Sequence, residues 1–471
     1  RFAAHRATAV KSKSIGLTSR IAIVYTPRQS RAGCDDARGT RLNGGHTVKF
    51  HWFHLMPWPD LPDDFQKKHR SVWVDVDYKL FDAERCNTVY HEYLDELEFA
   101  EKVGFDGICV NEHHSNAYGL MPSPNIMAAT LTRRTNRAAI VVMGNSIALY
   151  NPPLRVAEEF AMLDVLSGGR LVAGFPVGTS MDTNFAYGVP GAQLRDRYYE
   201  AHDLIMQAWH EKGVTHFNGK YNQVRYMNPW PRPIQQPNPP IWIPGGGSIE
   251  TWEWCADMGY LYSYLSYSGY KRAQTIMDGF WKRMTDKGIE PNPYHAGFAQ
   301  TVCVAETEAE AKELYWPHID YFYNRCLHVY PGFADAPGYR TLRTVKAGIK
   351  SQFEQAQQNA KAKLTWEGLV EQGYVVAGPP DKVVAKLNEL SDNLRVGHLM
   401  VLLQMGSMPR DVAMYNTQMF AERVMPHLKD KFNDFEDKWY PKMMPASERA
   451  VPIVQEKDQA RIAMAVGGGG Q

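Results

Sequence analysis

Two adjacent histidines preceded by a glutamate are the residues in this sequence best suited to acid–base chemistry. Glu112, His113 and His114 directly follow an apolar run at 107–111. An imidazole titrates near neutral pH and can give or take a proton during a reaction. Because side chains alternate along a strand, only one of the two histidines can point into a pocket, and the other is held by its surroundings. The pattern predicts a general acid or base. The alternative is a buried, hydrogen-bonded histidine that has no catalytic role.

A metal site is not predicted. The histidine pair is not part of an H-E-x-x-H pattern and no acidic cluster accompanies it, which leaves a metal-dependent hydrolase as a remote alternative. The sequence also contains no G-x-S-x-G motif, no Walker phosphate loop and no catalytic cysteine motif.

A run of three glycines predicts a binding site for a phosphate group. Gly246 and Gly247 belong to this run, which follows the apolar run at 240–244, and Ser248 and Thr251 open the helical pattern behind it. Glycines let backbone N–H groups approach an anion, and the start of a helix adds unpaired N–H groups and a positive dipole end. The two hydroxyls can add donors. The alternative is a glycine-rich turn in which the serine is a plain helix cap.

A basic segment further along the chain is predicted to complete the phosphate site. Arg195, Arg197 and Tyr198 lie near the start of a helical pattern at 193–200. A planar guanidinium can bind two phosphate oxygens at once. For at least one of the two arginines, a surface ion pair with a neighbouring carboxylate is the alternative.

Further lining residues are expected where other apolar runs end. Gly144 allows the close approach of a ligand, and Asn145 can form hydrogen bonds with the edge of a heterocycle. Trp52, His54 and Trp58, at the end of the first run, are predicted to form walls of a substrate pocket.

Eight short apolar runs alternate with helical patterns and must position these residues. Near-continuous apolar runs are typical of parallel strands buried on both faces. They predict an α/β fold, a single (β/α)₈ TIM barrel, with an insertion in the roughly 90 residues between the seventh and eighth runs. A doubly wound open sheet is the alternative, but no G-x-G-x-x-G follows a strand. The runs are 50–56, 107–111, 139–145, 171–174, 240–244, 260–265, 298–304 and 397–403.

Composition and charge exclude several classes of protein. The chain has 471 residues, of which 44% are hydrophobic and 22% charged, as in globular proteins. The net charge of +1 gives no case for binding to nucleic acid or to a membrane surface. Six widely spaced cysteines indicate reduced thiols and a cytoplasmic location. We expect residues 1–47 to be a disordered or non-native basic extension, residues 48–446 to form the barrel, and residues 447–471 to be a flexible tail.

In this order, the motifs resemble the bacterial luciferase-like flavin-dependent monooxygenases. The resemblance runs from about Lys49 to Lys431, and its pieces are weak singly but specific together. They are Gly104-Phe105-Asp106, Glu112-His113-His114, Asn151-Pro152-Pro153-Leu154-Arg155, Ser167-Gly168-Gly169-Arg170, Gly245-Gly246-Gly247-Ser248 and Gly378-Pro379-Pro380-Asp381.

The resemblance implies a barrel that binds reduced FMN or, in a sister branch, the deazaflavin F420. It makes His113 the active-site histidine, supported by the ionisable residues on either side of it. It also implies that Ser248, Thr251 and Arg195 bind the cofactor phosphate.

Three further implications concern the surroundings of the cofactor. Members often carry a non-prolyl cis peptide at the place of Gly144-Asn145, and residues 324–345 correspond to a mobile lid. Pro176 and Val177 stand where luciferase proper has a reactive cysteine and a phosphate-binding arginine. Light emission is therefore not implied.

The leading hypothesis is a homo-oligomeric monooxygenase that uses reduced FMN and O₂ to oxygenate a small organic substrate. A separate flavin reductase supplies the reduced FMN. An F420-dependent hydride-transfer enzyme and a non-catalytic flavin-binding protein are the alternatives.

Overall fold

The computed structural model describes residues 48–178, 180–265, 267–334, 337–346, 364–428 and 431–450. The N-terminal extension expected at 1–47, and residues 451–471 of the expected tail, lie outside the described residues. Residues 447–450 are described, and the guanidinium of Arg449 donates a hydrogen bond to the carbonyl of Asn136.

Eight parallel strands close into a barrel. Around the ring the order is β1, β2, β3, β4, β7, β8, β9 and β11, and β11 pairs back to β1. Each of these strands overlaps one of the eight apolar runs, so the predicted TIM barrel is confirmed. The strands are β1 Lys49–Phe53, β2 Gly107–Val110, β3 Ala139–Val142, β4 Leu171–Gly174, β5 Thr215–Asn218, β6 Gln223–Met227, β7 Ile241–Gly245, β8 Leu261–Tyr264, β9 Ala296–Val304, β10 Val375–Gly378 and β11 His398–Leu402.

Helices between the strands form the outer layer of the barrel. Among the described residues they are α1 Phe65–Lys68, α2 Ala83–Lys102, α3 Pro124–Arg134, α4 Leu154–Ser167, α5 Met181–Asn184, α6 Gly191–His210, α7 Ile249–Met258, α8 Tyr270–Asp286, α9 Glu308–Tyr321, α10 Pro331–Ala334, α11 at 342–346, α12 Trp366–Glu371, α13 Pro380–Leu394 and α14 Arg410–Arg423.

The first strand explains why the runs read as continuously apolar. Phe50 points outward and packs against Phe420 of α14, with ring centroids 5.4 Å apart. His51 points into the barrel, where its ring lies 5.0 Å from that of Trp242. Both faces of the strand are therefore buried, and apolar residues can occupy either of them.

The insertion between the seventh and eighth barrel strands contains a strand that the sequence did not predict. This strand, β10, pairs with β9 from Thr301 to Val304, beyond the point where β9 contacts β8. The β5–β6 hairpin, between β4 and β7, was also not predicted. Both strands of the hairpin are half-exposed, and β10 has only four residues. Such short or partly exposed strands give a weak apolar signal.

The Ser167-Gly168-Gly169-Arg170 motif joins α4 to β4 and has a structural function. Gly168 ends the helix with a φ of +69°, a left-handed conformation that favours glycine. The guanidinium of Arg170 is buried and makes five hydrogen bonds. Its acceptors are Ser167 O, Ala138 O, Thr132 O, Thr135 O and Thr135 Oγ1.

Residues 436–449, here called the C-terminal strap, lie across the end of the barrel where the strands begin. The indole of Trp242 donates to the carbonyl of Trp439 at 2.9 Å, and the hydroxyl of Tyr440 donates to the carbonyl of Asp106 at 2.7 Å. The strap thus covers the end of the barrel opposite to the one where the predicted site residues lie.

Candidate active site

The predicted site residues lie at one rim of the barrel. Because all eight barrel strands are parallel, their carboxyl ends meet at the same rim. His113 follows β2 and Ser248 follows β7, and only β3 and β4 separate those two strands in the ring. The topology therefore brings the histidine pair and the glycine run to the same end of the barrel.

A buried carboxylate orients His113. Its Nδ1 lies 3.4 Å from Oδ2 of Asp182, whose side chain is fully buried, while 20% of the His113 side chain is exposed. The amide of Asn116 donates to the same carboxylate oxygen at 2.9 Å, and the hydroxyl of Ser180 donates to Oδ1. A carboxylate beside Nδ1 assigns the proton to that nitrogen, which leaves Nε2 to accept another.

The charge of Asp182 is maintained by its partners. Burial acts to raise the pKa of Asp182. The hydrogen bond and charge of His113, with the hydroxyl of Ser180 and the backbone N–H of His114, outweigh burial and lower that pKa below its ordinary value. Asp182 is therefore a carboxylate at neutral pH, and it can accept a hydrogen bond from Nδ1 of His113.

The neighbours of His113 hold the surrounding loops together. Oε1 of Glu112 lies 3.1 Å from Nε2 of His114 and accepts a hydrogen bond from Tyr150 at 2.7 Å. Oε2 of Glu112 accepts the backbone N–H of Ser146 at 2.7 Å. These contacts join the loops after β2 and β3, which fits the supporting part predicted for the two residues.

Gly144 and Asn145 pack within the protein. A Cβ on Gly144 would lie 2.7 Å from the backbone nitrogen of Glu112, so the missing side chain makes room for the neighbouring loop. Asn145 is fully buried, and its amide exchanges two hydrogen bonds with Asn125, of 3.0 and 2.8 Å. The sequence predicted that a ligand comes close to the backbone at Gly144. In the structure, atoms of the neighbouring protein loop occupy that position.

The non-prolyl cis peptide implied by the resemblance is not present. Within the described ranges the cis peptide bonds precede Pro152, Pro231 and Pro237. The bond between Gly144 and Asn145 is not among them, so this expectation is wrong.

Three side chains converge where the glycine run meets α7. The guanidinium of Arg195 donates to the hydroxyl oxygen of Ser248 at 3.1 Å and to that of Thr251 at 3.4 Å. Ser248 makes no side-chain capping bond to the helix, so the plain helix-cap interpretation does not describe it. A Cβ on Gly246 would meet nothing within 4 Å, and Gly247 has a φ of +99°. We call these five residues the phosphate cradle.

The other two residues of the predicted basic segment do not join the cradle. The guanidinium of Arg197 lies 4.5 Å from the ring centroid of Tyr221 and donates to Gln193 at 3.3 Å. Tyr198 is fully buried and donates its hydroxyl to the carbonyl of Phe175 at 2.7 Å.

Part of the insertion lies against the phosphate cradle. The hydroxyl of Tyr339 accepts a hydrogen bond from Arg195 at 3.0 Å, and the hydroxyls of Thr341 and Thr344 donate to Glu250 of α7. Burial acts to raise the pKa of Glu250, but the two threonine hydrogen bonds help to lower it to about 2. This segment falls within the residues expected to form a lid.

Two of the three predicted pocket walls have their polar atoms bound to the outer helices. Trp52 donates its indole N–H to Thr417 of α14 at 2.9 Å, and His54 lies 3.1 Å from a buried oxygen of Glu96 on α2. Both side chains therefore face the helical layer. Trp58 is buried, with its ring 5.5 Å from that of a phenylalanine at position 81.

Sequence reasoning missed Asp182, Asn116 and Tyr339. Asp182 and Tyr339 are far from the predicted motifs in sequence, and no local pattern marks either of them. Asn116 lies two residues after His114, where a turn residue is common and carries no signal of its own. Only the closed barrel brings these residues to the site.

The described residues show neither a metal-binding cluster nor a membrane-spanning helix. Within those ranges, no group of three or more His, Cys, Asp or Glu side chains is arranged to hold a metal ion. No helix in this part of the chain has both the length and the apolar character needed to cross a bilayer.

Known proteins share both the sequence pattern and the fold. The oxygenase component of a flavin-dependent trigonelline monooxygenase from Acinetobacter baylyi is 30% identical over 176 residues, which are 37% of this chain and 48% of that protein. The oxygenating constituent of 3,6-diketocamphane monooxygenase from Pseudomonas putida, solved with FMN, has a TM-score of 0.60 at 16% identity and covers 81% of this chain and 98% of its own. An F420-dependent secondary alcohol dehydrogenase has a TM-score of 0.55 at 16% identity and covers 82% of this chain and 100% of its own.

A family model matches most of the barrel, and this match identifies the family. The family model described as luciferase-like monooxygenase matches residues 77–395. That range begins before β2 and includes the histidine pair, the phosphate cradle and the insertion. Since it covers more than half of the sequence, the chain belongs to the luciferase-like monooxygenase family.

Proposed function

We propose that this protein is the oxygenase component of a two-component flavin monooxygenase. A separate flavin reductase supplies reduced FMN. One oxygen atom of O₂ enters a small organic substrate, and the other leaves as water with the two hydrogens of the reduced flavin. The observation that carries the proposal is the His113–Asp182 pair on the same barrel rim as the phosphate cradle.

The cradle has the donors that the phosphate of FMN requires. Arg195, Ser248 and Thr251 supply a guanidinium and two hydroxyls. The Nε of Arg195 is buried and has no hydrogen-bond partner among the described residues, so it is a donor that a bound anion can use. Open space at Gly246 allows an anion to approach the backbone.

The residues around His113 would manage the proton transfers. When bound, reduced FMN supplies the two electrons for the reduction of O₂. Asp182 holds His113 with its proton on Nδ1, and Nε2 then accepts or returns a proton beside the cofactor. Glu112 fixes the loop that carries His113 by its bond to the backbone of Ser146.

Cofactor binding tests this proposal directly. The protein is titrated without oxygen with reduced FMN and, separately, with reduced F420, and oxygen uptake is then followed after air is admitted. We expect binding of reduced FMN and oxygen uptake that depends on the protein. Binding of F420 alone would overturn the proposal.

An F420-dependent oxidoreductase is the second candidate, because an enzyme of that type shares the fold. Such an enzyme transfers hydride and does not need O₂. Turnover of an alcohol with oxidised F420 under strictly anaerobic conditions would therefore select this candidate.

Removal of the cradle arginine is expected to weaken FMN binding selectively. Arg195→Met removes the charged donor at the phosphate, so the affinity for FMN should fall about 10- to 100-fold. The affinity for riboflavin, which lacks the phosphate, should not change. Fluorescence titration with both flavins measures this, and Arg197→Met, which alters an arginine outside the cradle, serves as the control. An equal loss for both flavins would show that the phosphate is bound elsewhere.

We also propose a homo-oligomer with its contact on α3 and α4. Met162, Val165 and Leu166 follow each other at helical spacing on α4 and are 50%, 40% and 53% exposed, and Ile126 on the neighbouring α3 is 65% exposed. An apolar stripe of this kind is typical of a helix that packs against a partner. Leu166→Glu should shift the sedimentation coefficient toward the monomer. Val214→Glu, at an exposed site between α6 and β5, should not, and unchanged sedimentation of both variants would contradict the proposed contact.

A cytoplasmic location is proposed from the state of the cysteines. The five described cysteines are buried free thiols. Cytoplasmic conditions keep thiols reduced. Fractionation of the native host with detection of the chain is the corresponding measurement.

A further inference from the structure

We propose that the substrate is an uncharged aromatic molecule that carries a hydrogen-bond acceptor, as an aryl ketone does. The inference rests on the proposed function, because it takes His113 as the centre of the site. It is carried by four aromatic side chains beside His113, called here the aromatic box. They are Trp73, Tyr118, Tyr267 and Phe322.

Two rings of the box contact His113, and the other two pack behind Tyr118. The ring of Tyr118 stands nearly perpendicular to that of His113, with centroids 4.7 Å apart. The indole of Trp73 lies 6.3 Å from His113 and is tilted by 31°. Tyr118 and Phe322 each pack against Tyr267, with centroids 6.2 and 5.2 Å apart. The four rings contact one another, whereas His113 is 20% exposed and Trp73 is half-buried, so a flat aromatic guest can stack on these two or meet them edge-to-face.

Backbone pairing fixes Trp73 beside the catalytic candidate. Trp73 forms an antiparallel bridge with Asn116, whose amide donates to Asp182, the partner of His113. The backbone N–H of Val74 donates to the carbonyl of Ser115 at 2.9 Å. The indole is therefore held by the same loop that carries the histidine, and its place does not depend on a flexible side chain alone.

The box offers one hydrogen-bond donor that the protein does not use. The indole nitrogen of Trp73 is buried and has no acceptor among the described residues. A buried N–H without an acceptor is costly, and a ligand carbonyl would satisfy it. By contrast, the hydroxyl of Tyr118 is already paired with that of Tyr267, and the hydroxyl of Tyr323 donates to the carbonyl of Tyr267 at 3.0 Å.

The charges near the box disfavour an anionic substrate. Among the described residues, no Lys or Arg stacks on any of its four rings. The carboxylate of Asp182, which is ionised, is bound to the neighbouring His113. A carboxylate or sulfonate on the substrate would lose its water here without gaining a cationic partner.

Four small-molecule probes test separately what the aromatic ring, the hydrogen-bond acceptor and the charge contribute to binding. Acetophenone has all the proposed features, cyclohexyl methyl ketone lacks the aromatic ring, ethylbenzene lacks the acceptor, and 4-acetylbenzoate adds a negative charge. Their dissociation constants are measured by NMR saturation-transfer titration on the full chain, with and without FMN. We expect acetophenone to bind about tenfold more tightly than each of the other three probes. A tenfold difference is about what one additional hydrogen bond or one additional aromatic ring contact provides. Equal or tighter binding of 4-acetylbenzoate or of cyclohexyl methyl ketone would overturn the inference.

A pair of variants links the preference to the box. Trp73→Phe keeps a ring but removes the N–H, so it should abolish the difference between acetophenone and ethylbenzene and leave FMN affinity unchanged. Trp316→Phe, the same change on α9, should keep that difference. If Trp73→Phe also keeps it, the indole is not the donor and the inference fails. Absence of FMN binding, with the probe preferences intact, would instead count against the proposed function alone.

Discussion

The His113→Gln variant is expected to lose oxygen transfer to substrate by a factor of about 10²–10⁴ while still binding FMN. Glutamine has a polar group but cannot titrate near neutral pH, so Nε2 is lost as a proton carrier. His113 is partly exposed and is held by a buried carboxylate, so its ring is oriented and one nitrogen remains for a reacting group.

Single-turnover oxidation of reduced FMN, with product analysis, measures this loss. His91→Gln replaces an exposed histidine on α2 and serves as the control, with unchanged turnover expected. Asp182→Asn gives a second readout: without the carboxylate, the proton of His113 is no longer directed to Nδ1, so turnover should fall while FMN stays bound. If His113→Gln turns over normally with FMN bound, His113 is not the acid–base group of the reaction.

Arg170→Met is expected to destabilise the fold by about 3–5 kcal/mol, the largest stability effect we predict for a single substitution. The guanidinium satisfies four backbone carbonyls and one hydroxyl at the junction of α3, β3 and α4. Methionine fills part of the volume but leaves those buried acceptors unpaired. Burial lowers the pKa of Arg170 to about 10, with Glu101 opposing this, so the side chain remains charged at neutral pH.

Chemical denaturation monitored by tryptophan fluorescence measures the change in the free energy of unfolding. Arg410→Met is the matched control: this arginine is 48% exposed and pairs with Asp95, so its loss should cost less than about 1 kcal/mol. A similar small change for Arg170→Met would mean that water satisfies the carbonyls after the substitution.

The barrel could be predicted because each strand is buried on both faces and leaves a run of apolar residues. For the same reason, the sequence does not show whether an individual strand residue points into the barrel or toward the helices. In β1, Trp52 faces the helices and His51 faces the interior, yet both are fully buried. Because both faces are buried, burial alone cannot tell which of these residues faces the interior of the barrel. Trp52 and His54 were therefore predicted to form walls of the substrate pocket, although their side chains contact α14 and α2.

Helical spacing could have separated the two arginines. Residues two positions apart on a helix point about 200° away from each other, so Arg195 and Arg197 cannot both face the cradle. Only the fold, however, decides which of them does. Asp182 lies 69 residues after His113 in the chain. Its contact with the ring depends on the closure of β2, β3 and β4 and has no local sequence signal.

The C-terminal strap has a consequence for the synthesis of the chain. β1 emerges from the ribosome long before residues 436–449. Those late residues nevertheless cover polar and aromatic groups at the end of the barrel where the strands begin. Until the strap has been translated, Trp242 and His398 remain open to water. The barrel therefore reaches its final stability only after nearly all of its strands and helices have left the ribosome, and the nascent chain is most exposed to aggregation and proteolysis just before that point.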